Sequence, residues 1–381
     1  MNTITLLQPP RIVFGNGCAP QCAEFLTQRG VKRVLLVSST PVLPTLGEIS
    51  AALINSKIEI IQSAPVDSEP TRNFFEMVLQ QARAEKIDGV LGIGGGSAID
   101  VAKLIAALTF GNQTVSDVFG INLLRDRQLP LVCLPTTAGT GAEVSPNAIL
   151  LDEIDELKKG VVSPHLVPDA AFIDPLLTLS VPPVVTAATG LDALTHCIEA
   201  FANKFAHPIV DVYALRGVEL ISKNLLRAVR DGNDIEARAA LALGSYYGGL
   251  CLGPVNTAAI HALSYPLGGK FHIAHGVSNA ILMPEVLRFN LPAAPERYAE
   301  IAVATGIARN GSTLQTAEHG IEQLAKLSRD CGVPQKLSEL KIPRDAIPAM
   351  AKSALQVQRL LKNNLRPVTE SDAKKIYEAI Y

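Results

Sequence analysis

The sequence has few features that would direct it to nucleic acid or to a membrane. It contains no basic block, and 34 lysines and arginines nearly balance 36 aspartates and glutamates. The electrostatic patch that binds nucleic acid or an anionic membrane surface is therefore missing. No apolar run is long enough to span a bilayer. Residues 1–17 lack the charged and apolar regions of a secretory signal, so we expect a cytoplasmic protein that binds neither partner.

Cysteine is also sparse and is not arranged in a recognisable framework. Six cysteines are scattered over 381 residues, and only Cys18 and Cys22 lie four residues apart. No second pair completes a zinc-type set of the kind that uses two cysteine pairs. We expect reduced thiols, as is usual in a cytoplasmic protein.

What is present indicates two domains with different secondary structure. The length exceeds what one hydrophobic core usually serves, and a 48% hydrophobic fraction supplies enough apolar residues for large cores. Up to residue 182, short continuous apolar runs alternate with helical patterns, which is typical of a doubly wound parallel sheet. After Pro182 and Pro183 the runs become long and helix-periodic. We predict an α/β domain over residues 1–182 and an all-helical domain over residues 183–381.

Two loops that follow predicted strands are rich in glycine and threonine. In GIGGGSAIDVAK (92–103), three glycines precede a helix, where free amides and the helix dipole favour a phosphate. The segment matches neither G-x-G-x-x-G nor a P-loop. In LPTTAGTGAEVS (134–145), the threonines fall at the carboxyl edge of the sheet, where ligands of open α/β sheets bind. Each loop alone could be an ordinary turn, but the two together favour a nucleotide site.

A carboxylate and three imidazoles form the second candidate site. In ATGLDALTHCIEA (188–200), Asp192 and His196 are four residues apart and share one helix face. Three of the seven histidines fall within residues 260–276. Single histidines are more often ordinary polar residues than ligands. The set of Asp192, His196, His261 and His275, however, suits a divalent first-row metal such as iron(II), zinc, nickel or cobalt.

Several long motifs, in the same order, resemble the iron-containing (group III) alcohol dehydrogenases. The matching segments are RIVFGNG, GVLGIGGGSAIDVAK, LPTTAGTGAEVS, PDAAFIDP, ATGLDALTHCIEA and IHALSYPLGG followed by AHGVSNAILMP. The resemblance implies a dehydroquinate synthase-like architecture, with a nucleotide-binding α/β domain and an all-α domain. It implies an NAD(P)-linked alcohol dehydrogenase or aldehyde reductase that transfers hydride between a metal-bound small alcohol, or hydroxyacid, and nicotinamide C4 in the interdomain cleft. Iron(II) is the favoured metal with zinc as the alternative, and the implied assembly is a homodimer or a higher homo-oligomer.

The resemblance also implies roles for individual residues. The metal would be held by Asp192, His196, His261 and His275. The cofactor phosphates would lie on Gly95, Gly96 and Ser97, and the nicotinamide side near Thr136, Thr137 and Thr140. Lys158 would lie near the cofactor ribose, and Leu177 to Val181 would line the same cleft.

Two departures from the family pattern concern the cofactor. Ser39 stands where the family often has an aspartate that bonds the adenosine ribose and repels a 2′-phosphate. No basic residue directly follows Ser39, so we expect NAD as cofactor, with NADP tolerated. Glu69 replaces the asparagine of a PNPT stretch. It would either bond the adenosine end or cap a helix that starts at Pro70, and we favour capping.

The third departure lies near the predicted metal. Tyr265 stands where the family usually has another histidine, and it resembles the hydroxyacid–oxoacid transhydrogenase branch. It would serve as a proton relay or as a pocket wall. His272 would share the relay or lie on the surface.

Three other functions are alternatives to the alcohol dehydrogenase. They are a transhydrogenase, a metal-free maleylacetate reductase-like enzyme and a non-catalytic nucleotide-binding protein. A complete metal-ligand set argues against the last two. No basic cluster lies near the motifs, so small aliphatic alcohols and aldehydes are the expected substrates.

Overall fold

The structure, a computed structural model, describes residues 3–154 and 157–381. The chain forms two compact units. The first comprises Leu7–Thr137 and Gly141–Ser180. The second comprises the stretch up to Leu6, Ala138–Thr140 and Val181–Tyr381. The first unit contains a parallel sheet with helices and the second is helical, which confirms the predicted fold class.

The described strands of the first unit belong to two sheets. They are β1 Arg11–Phe14, β2 Arg33–Val37, β3 Glu59–Gln62, β4 Gly89–Gly94, β5 Gly120–Ile121, β6 Leu131–Pro135, β7 Asn147–Asp152, β8 Leu157–Val162 and β9 Ala170–Ile173. The larger sheet is parallel and has six strands in the order β1-β9-β6-β4-β2-β3. The helices of this unit are α1 Cys22–Gln28, α2 Gly47–Asn55, α3 Arg72–Ala84, α4 Gly96–Leu108 and α5 Val115–Val118.

The central strands β2, β4 and β6 are almost wholly buried, as continuous apolar runs predict. Gly92 of β4 allows α4 to pack closely, because a Cβ there would lie 2.7 Å from Cβ of Ala102. The sequence did not predict the second sheet, in which β8 pairs with β5 in parallel and with β7 in antiparallel.

The capping role predicted for Glu69 is wrong. Helix α3 begins at Arg72, and its N-cap is Thr71, whose side chain accepts a hydrogen bond from the amide of Phe74. The carboxylate of Glu69 instead pairs with the ammonium of Lys158 at 2.9 Å. Thr71 occupies the position where a short side-chain oxygen reaches the first turn, so a cap from Glu69 is not needed.

The second unit has ten α-helices and no strand among its described residues. They are α6 Pro183–Phe201, α7 Pro208–Arg230, α8 Ile235–Leu252, α9 Ala259–Phe271, α10 His275–Asn290, α11 Pro295–Ala304, α12 Thr313–Asp330, α13 Ile347–Ala354, α14 Gln358–Leu361 and α15 Glu370–Ala379.

Helix α6 lies at the centre of this unit and is buried along nearly all its length beyond its first turn. Glycines bring its neighbours close. A Cβ on Gly190 would lie 2.3 Å from Cδ1 of Leu225 in α7, and a Cβ on Gly276 would lie 2.0 Å from the carbonyl oxygen of Ala188. Helix α10 therefore begins directly against α6, which brings residues of the two helices together.

Two global features agree with the composition. All six cysteines are buried and none is in a disulfide. Among the described residues, no helix has both the length and the apolarity to cross a membrane.

Candidate metal and cofactor sites

Three helices bring the predicted metal ligands together. Asp192 and His196 lie one turn apart on α6, His261 is in the first turn of α9, and His275 is the first residue of α10. Oδ1 of Asp192 is the common point. It lies 3.7 Å from Nε2 of His196, and the Nε2 atoms of His261 and His275 lie 3.5 and 3.6 Å away. The i, i+4 pair on α6 is thus completed by two residues from other helices.

These donor atoms fit a divalent transition metal. Ligand atoms of Asp192, His261 and His275 all lie within 4.8 Å of one another. His196 stacks on His261, with the ring centroids 4.8 Å apart. A carboxylate with imidazole nitrogens is a donor set that binds zinc, iron and neighbouring metals.

The charges in this cluster follow from burial and from the carboxylates. Burial acts to raise the pKa of Asp192, but the three nearby imidazoles outweigh it and hold that pKa well below its usual range. Burial lowers the pKa of His196 to about 4, against the opposing charge of Asp192. For His261, burial is outweighed by the carboxylates of Glu199 and Asp192, which raise its pKa to about 10. The carboxylates therefore favour positive charge at the centre of the cluster.

Two residues of this centre were missed by the sequence analysis. Glu199 is buried on α6, and its Oε2 lies 2.5 Å from Nδ1 of His261. Its Oε1 accepts a hydrogen bond from the amide of Ile260 at 2.6 Å. The signal was available, since Glu199 lies seven residues after Asp192 and so shares its helix face.

The second missed residue is Asn279, which is fully buried on α10. Its Nδ2 lies 2.7 Å from Oδ1 of Asp192, and 3.1 and 3.3 Å from the Nε2 atoms of His261 and His275. The amide nitrogen of Asn279 donates to Asp192 and lies within hydrogen-bond distance of two predicted metal ligands, so Asn279 is part of the same cluster. The spacing of four residues from His275 could have identified Asn279.

The two candidates for proton transfer differ in their position. The ring of Tyr265 lies 6.2 Å from that of His275, and its hydroxyl accepts a hydrogen bond from Nη2 of Arg359 at 2.6 Å. His272 is exposed at the end of α9, with a left-handed φ of 55°. No contact described in the structure joins His272 to the cluster.

The predicted phosphate residues lie at the carboxyl end of the parallel sheet. Gly95 is the N-cap of α4, and Gly96 and Ser97 begin that helix. A Cβ on Gly95 would lie 3.4 Å from Oγ1 of Thr137, and the amide of Thr136 donates to the carbonyl of Gly94. The glycine loop after β4 and the threonine loop after β6 are therefore neighbours, as the parallel sheet predicts.

A buried lysine of α4 forms hydrogen bonds with the end of the threonine loop and the residue that begins β7. The ammonium of Lys103 is fully buried and donates to the carbonyls of Ser145 and Asn147, both at 2.8 Å. This tie between α4 and the loop was not predicted.

The other predicted cofactor residues are spread over the two units. In the first unit, Ser39 follows β2, the half-buried Leu177 lies in the turn Pro175–Thr178, and Lys158 of β8 pairs with Glu69. In the second unit are Thr140 and Val181, and the carbonyl of Val181 accepts a hydrogen bond from Arg238.

Comparisons with known families cover almost the whole chain. A model of the iron-containing alcohol dehydrogenase matches residues 9–175. A model of the C-terminal part of the Fe-containing alcohol dehydrogenase family matches residues 186–381. The first includes the glycine and threonine loops, and the second includes all four predicted metal ligands.

Individual relatives agree with these matches. The chain is 38% identical to long-chain-alcohol dehydrogenase 1 of Geobacillus thermodenitrificans (strain NG80-2), over 100% of this chain and 98% of that protein. It is 32% identical to NAD-dependent methanol dehydrogenase of Bacillus methanolicus, over 97% of each. A crystal structure of 1,3-propanediol oxidoreductase superposes with a TM-score of 0.97 at 33% identity, over 100% of both chains. The chain therefore belongs to the iron-containing alcohol dehydrogenase family and is a metal-dependent, NAD(P)-linked alcohol dehydrogenase.

Proposed function

We propose that Asp192, His196, His261 and His275 hold one divalent metal, with iron(II) favoured over zinc, and that the enzyme interconverts alcohols and aldehydes with NAD. The observation that carries this proposal is the convergence of one carboxylate oxygen and three imidazole nitrogens from α6, α9 and α10. When bound, the metal supplies Lewis acidity toward the oxygen of the alcohol or aldehyde, and the nicotinamide accepts or donates hydride.

The chain's own residues prepare this chemistry. Asp192 contributes the negative charge that offsets a divalent cation, and Glu199 fixes the orientation of His261 through Nδ1. Tyr265 lies near His275, with the ring centroids 6.2 Å apart, whereas His272 is exposed and has no described contact with the cluster. Tyr265 is therefore the residue that relays the substrate proton.

A carboxylate from a separate segment supports the preference for NAD. Oδ1 of Asp67 accepts a hydrogen bond from the Thr40 amide at 2.7 Å, and Oδ2 accepts one from the Thr40 hydroxyl at 2.6 Å. These bonds lower the pKa of Asp67, so its carboxylate is charged beside Ser39. The negative charge of Asp67 repels the 2′-phosphate of NADP. Asp67 thus takes the role of the aspartate that the family often has at the position of Ser39. Glu69 also offsets the charge of Lys158.

The test combines metal analysis with activity. Metal-free protein is reloaded anaerobically with iron(II), zinc, nickel or cobalt, and turnover of a panel of alcohols and aldehydes is followed with NAD and NADP. We expect the highest turnover with iron(II) and NAD. A His261→Ala variant that keeps both stoichiometric metal and full turnover would refute the ligand set, and His319→Ala, an exposed change on α12, is its matched control.

The transhydrogenase activity is the second candidate, and Tyr265 is the residue that favours it. Such an enzyme retains its nucleotide and moves hydride between a hydroxyacid and an oxoacid. Turnover of such a pair without added cofactor would support it.

The cytoplasmic location and the homo-oligomeric assembly suggested by the sequence are also part of our proposal, and light scattering after size-exclusion chromatography tests the assembly.

A further inference from the structure

An arginine from the C-terminal part of the chain contacts Tyr265, whose ring lies near the predicted metal ligand His275. Nη2 of Arg359, on α14, donates to the hydroxyl of Tyr265 at 2.6 Å. Its Cζ lies 5.8 Å from the centroid of the Tyr265 ring, and that ring lies against His275. One tyrosine side chain therefore separates a guanidinium group from a predicted metal ligand. Both Arg359 and Tyr265 are half-buried, so the guanidinium is partly shielded from water.

Several arginines of the helical unit pair with a carboxylate, whereas Arg238 and Arg366 donate to carbonyl and hydroxyl oxygens. Arg297 pairs with Asp211, Arg227 with Asp234, and Arg344 with Glu378. Arg359 has no carboxylate within ion-pair distance in the described part of the chain, and its one described side-chain partner is the neutral Tyr265 hydroxyl. A guanidinium has five N–H donors, so most of its hydrogen-bonding capacity is left for another partner.

We propose that Arg359 binds the anionic end of the substrate and that this enzyme prefers short hydroxy acids or hydroxy sulfonates, and their aldehydes, to uncharged alcohols. The planar guanidinium matches a carboxylate or sulfonate with two parallel hydrogen bonds. The inference rests on the proposed function. In the reductive direction, the aldehyde carbon accepts hydride from NADH and its oxygen accepts a proton, which gives the alcohol and NAD⁺. The anionic group is unchanged and serves only to bind and orient the substrate.

The test compares charged and uncharged aldehydes of the same shape. 4-Oxobutanoate is matched with 4-methylpentanal, and 2-sulfoacetaldehyde with 3,3-dimethylbutanal, with kcat and KM measured for the metal-loaded enzyme. We expect the wild type to prefer the anion of each pair. In Arg359→Gln the ratio of kcat/KM for anion over neutral partner should fall about 10- to 100-fold, mainly through KM, because a charged hydrogen-bonded contact is lost. Arg359→Lys should keep part of the preference.

Two further variants separate substrate binding from support of Tyr265. If Arg359 acts only by holding Tyr265, both members of each pair should lose the same factor, and Tyr265→Phe should reproduce that loss. This outcome, or a wild type that prefers the neutral partner, would overturn the proposal. Arg344→Gln, which breaks an exposed ion pair with Glu378, is the matched control and should keep the wild-type ratio.

A binding measurement keeps this inference distinct from the proposed function. Calorimetric titration of the metal-loaded protein with butanoate and with butanamide measures recognition of the anion without turnover. We expect butanoate to bind more tightly than butanamide, and this difference to be lost in Arg359→Gln. If no aldehyde is reduced with any metal, the proposed function fails and this titration alone decides the inference. Equal affinity for the two compounds would refute it.

Discussion

Glu199 and His261 form a buried pair, with Oε2 of the glutamate 2.5 Å from Nδ1 of the imidazole. A carboxylate only accepts hydrogen bonds, so Nδ1 carries the proton of this contact. The other ring nitrogen, Nε2, faces Asp192 at 3.5 Å. The glutamate therefore fixes both the tautomer and the ring orientation that a metal ligand needs.

Weakening this pair should reduce metal affinity, with a smaller effect on the stability of the folded protein. We expect Glu199→Gln to weaken metal binding about 10- to 100-fold, as is typical when the partner of a ligating histidine is changed. Competition with a chromogenic chelator measures this effect. Glu219→Gln, on the outer face of α7, is the control and should bind metal like the wild type. Unchanged metal affinity in Glu199→Gln would show that His261 is oriented by packing alone.

The charge of Asp67 should limit the use of NADP. Asp67→Asn keeps the side-chain shape beside Thr40 and removes a negative charge next to Ser39. Because exposed charges interact through water, we expect the ratio of kcat/KM for NADP over NAD to rise only several-fold, on the order of 5-fold at low salt. The rise should shrink as salt is added. Asp330→Asn, in the helical unit, is the control, and an unchanged ratio in Asp67→Asn would exclude this role.

Glu143 should make the stability of the first unit depend on pH. Burial raises its pKa from 4.5 to about 7, against the opposing effects of its own backbone amide and of Lys103. Between these pH values the folded state holds more protons than the unfolded state, so stability should fall as pH rises from about 4.5 to 7. Above pH 7 this contribution should stop changing.

Thermal melts of Glu143→Gln and the wild type across this range provide the measurement. The difference between their Tm values should change with pH between about 4.5 and 7 and level off above it. A constant difference would mean that Glu143 does not titrate there. Glu236→Gln, an exposed change on α8, is the control for general effects of lost charge.

Gly276 should be needed for the close contact of α6 and α10. A Cβ would lie 2.0 Å from the carbonyl oxygen of Ala188, and backbone cannot move aside as a flexible side chain can. We expect Gly276→Ala to destabilise the protein by about 1–3 kcal/mol, as overpacking does. Metal affinity should also fall, because the preceding residue is the predicted metal ligand His275.

A matched glycine separates packing from backbone flexibility. Gly47 begins α2, and a Cβ there would meet no atom within 4 Å. Urea unfolding should therefore show little change for Gly47→Ala. If Gly276→Ala unfolded at the same urea concentration as the wild type, α6 and α10 would have to tolerate a wider separation than the structure shows.

Local sequence patterns determined the framework of this protein. Continuous apolar runs predicted the buried parallel strands β2, β4 and β6, because a strand covered on both faces needs apolar residues throughout. The spacing of Asp192 and His196 placed them on one helix face, since helix geometry is fixed by its period. These conclusions needed only residues close together in the chain.

The tertiary structure decided which distant residues meet. His261 lies 62 residues from Glu199, and Arg359 lies 94 residues from Tyr265. The helical period of the sequence predicts which face of a helix is buried. Which other helix packs against that face depends on the packing of all the side chains. No basic cluster is visible in the sequence near the metal motifs, and only the fold shows that Arg359 of α14 reaches the hydroxyl of Tyr265.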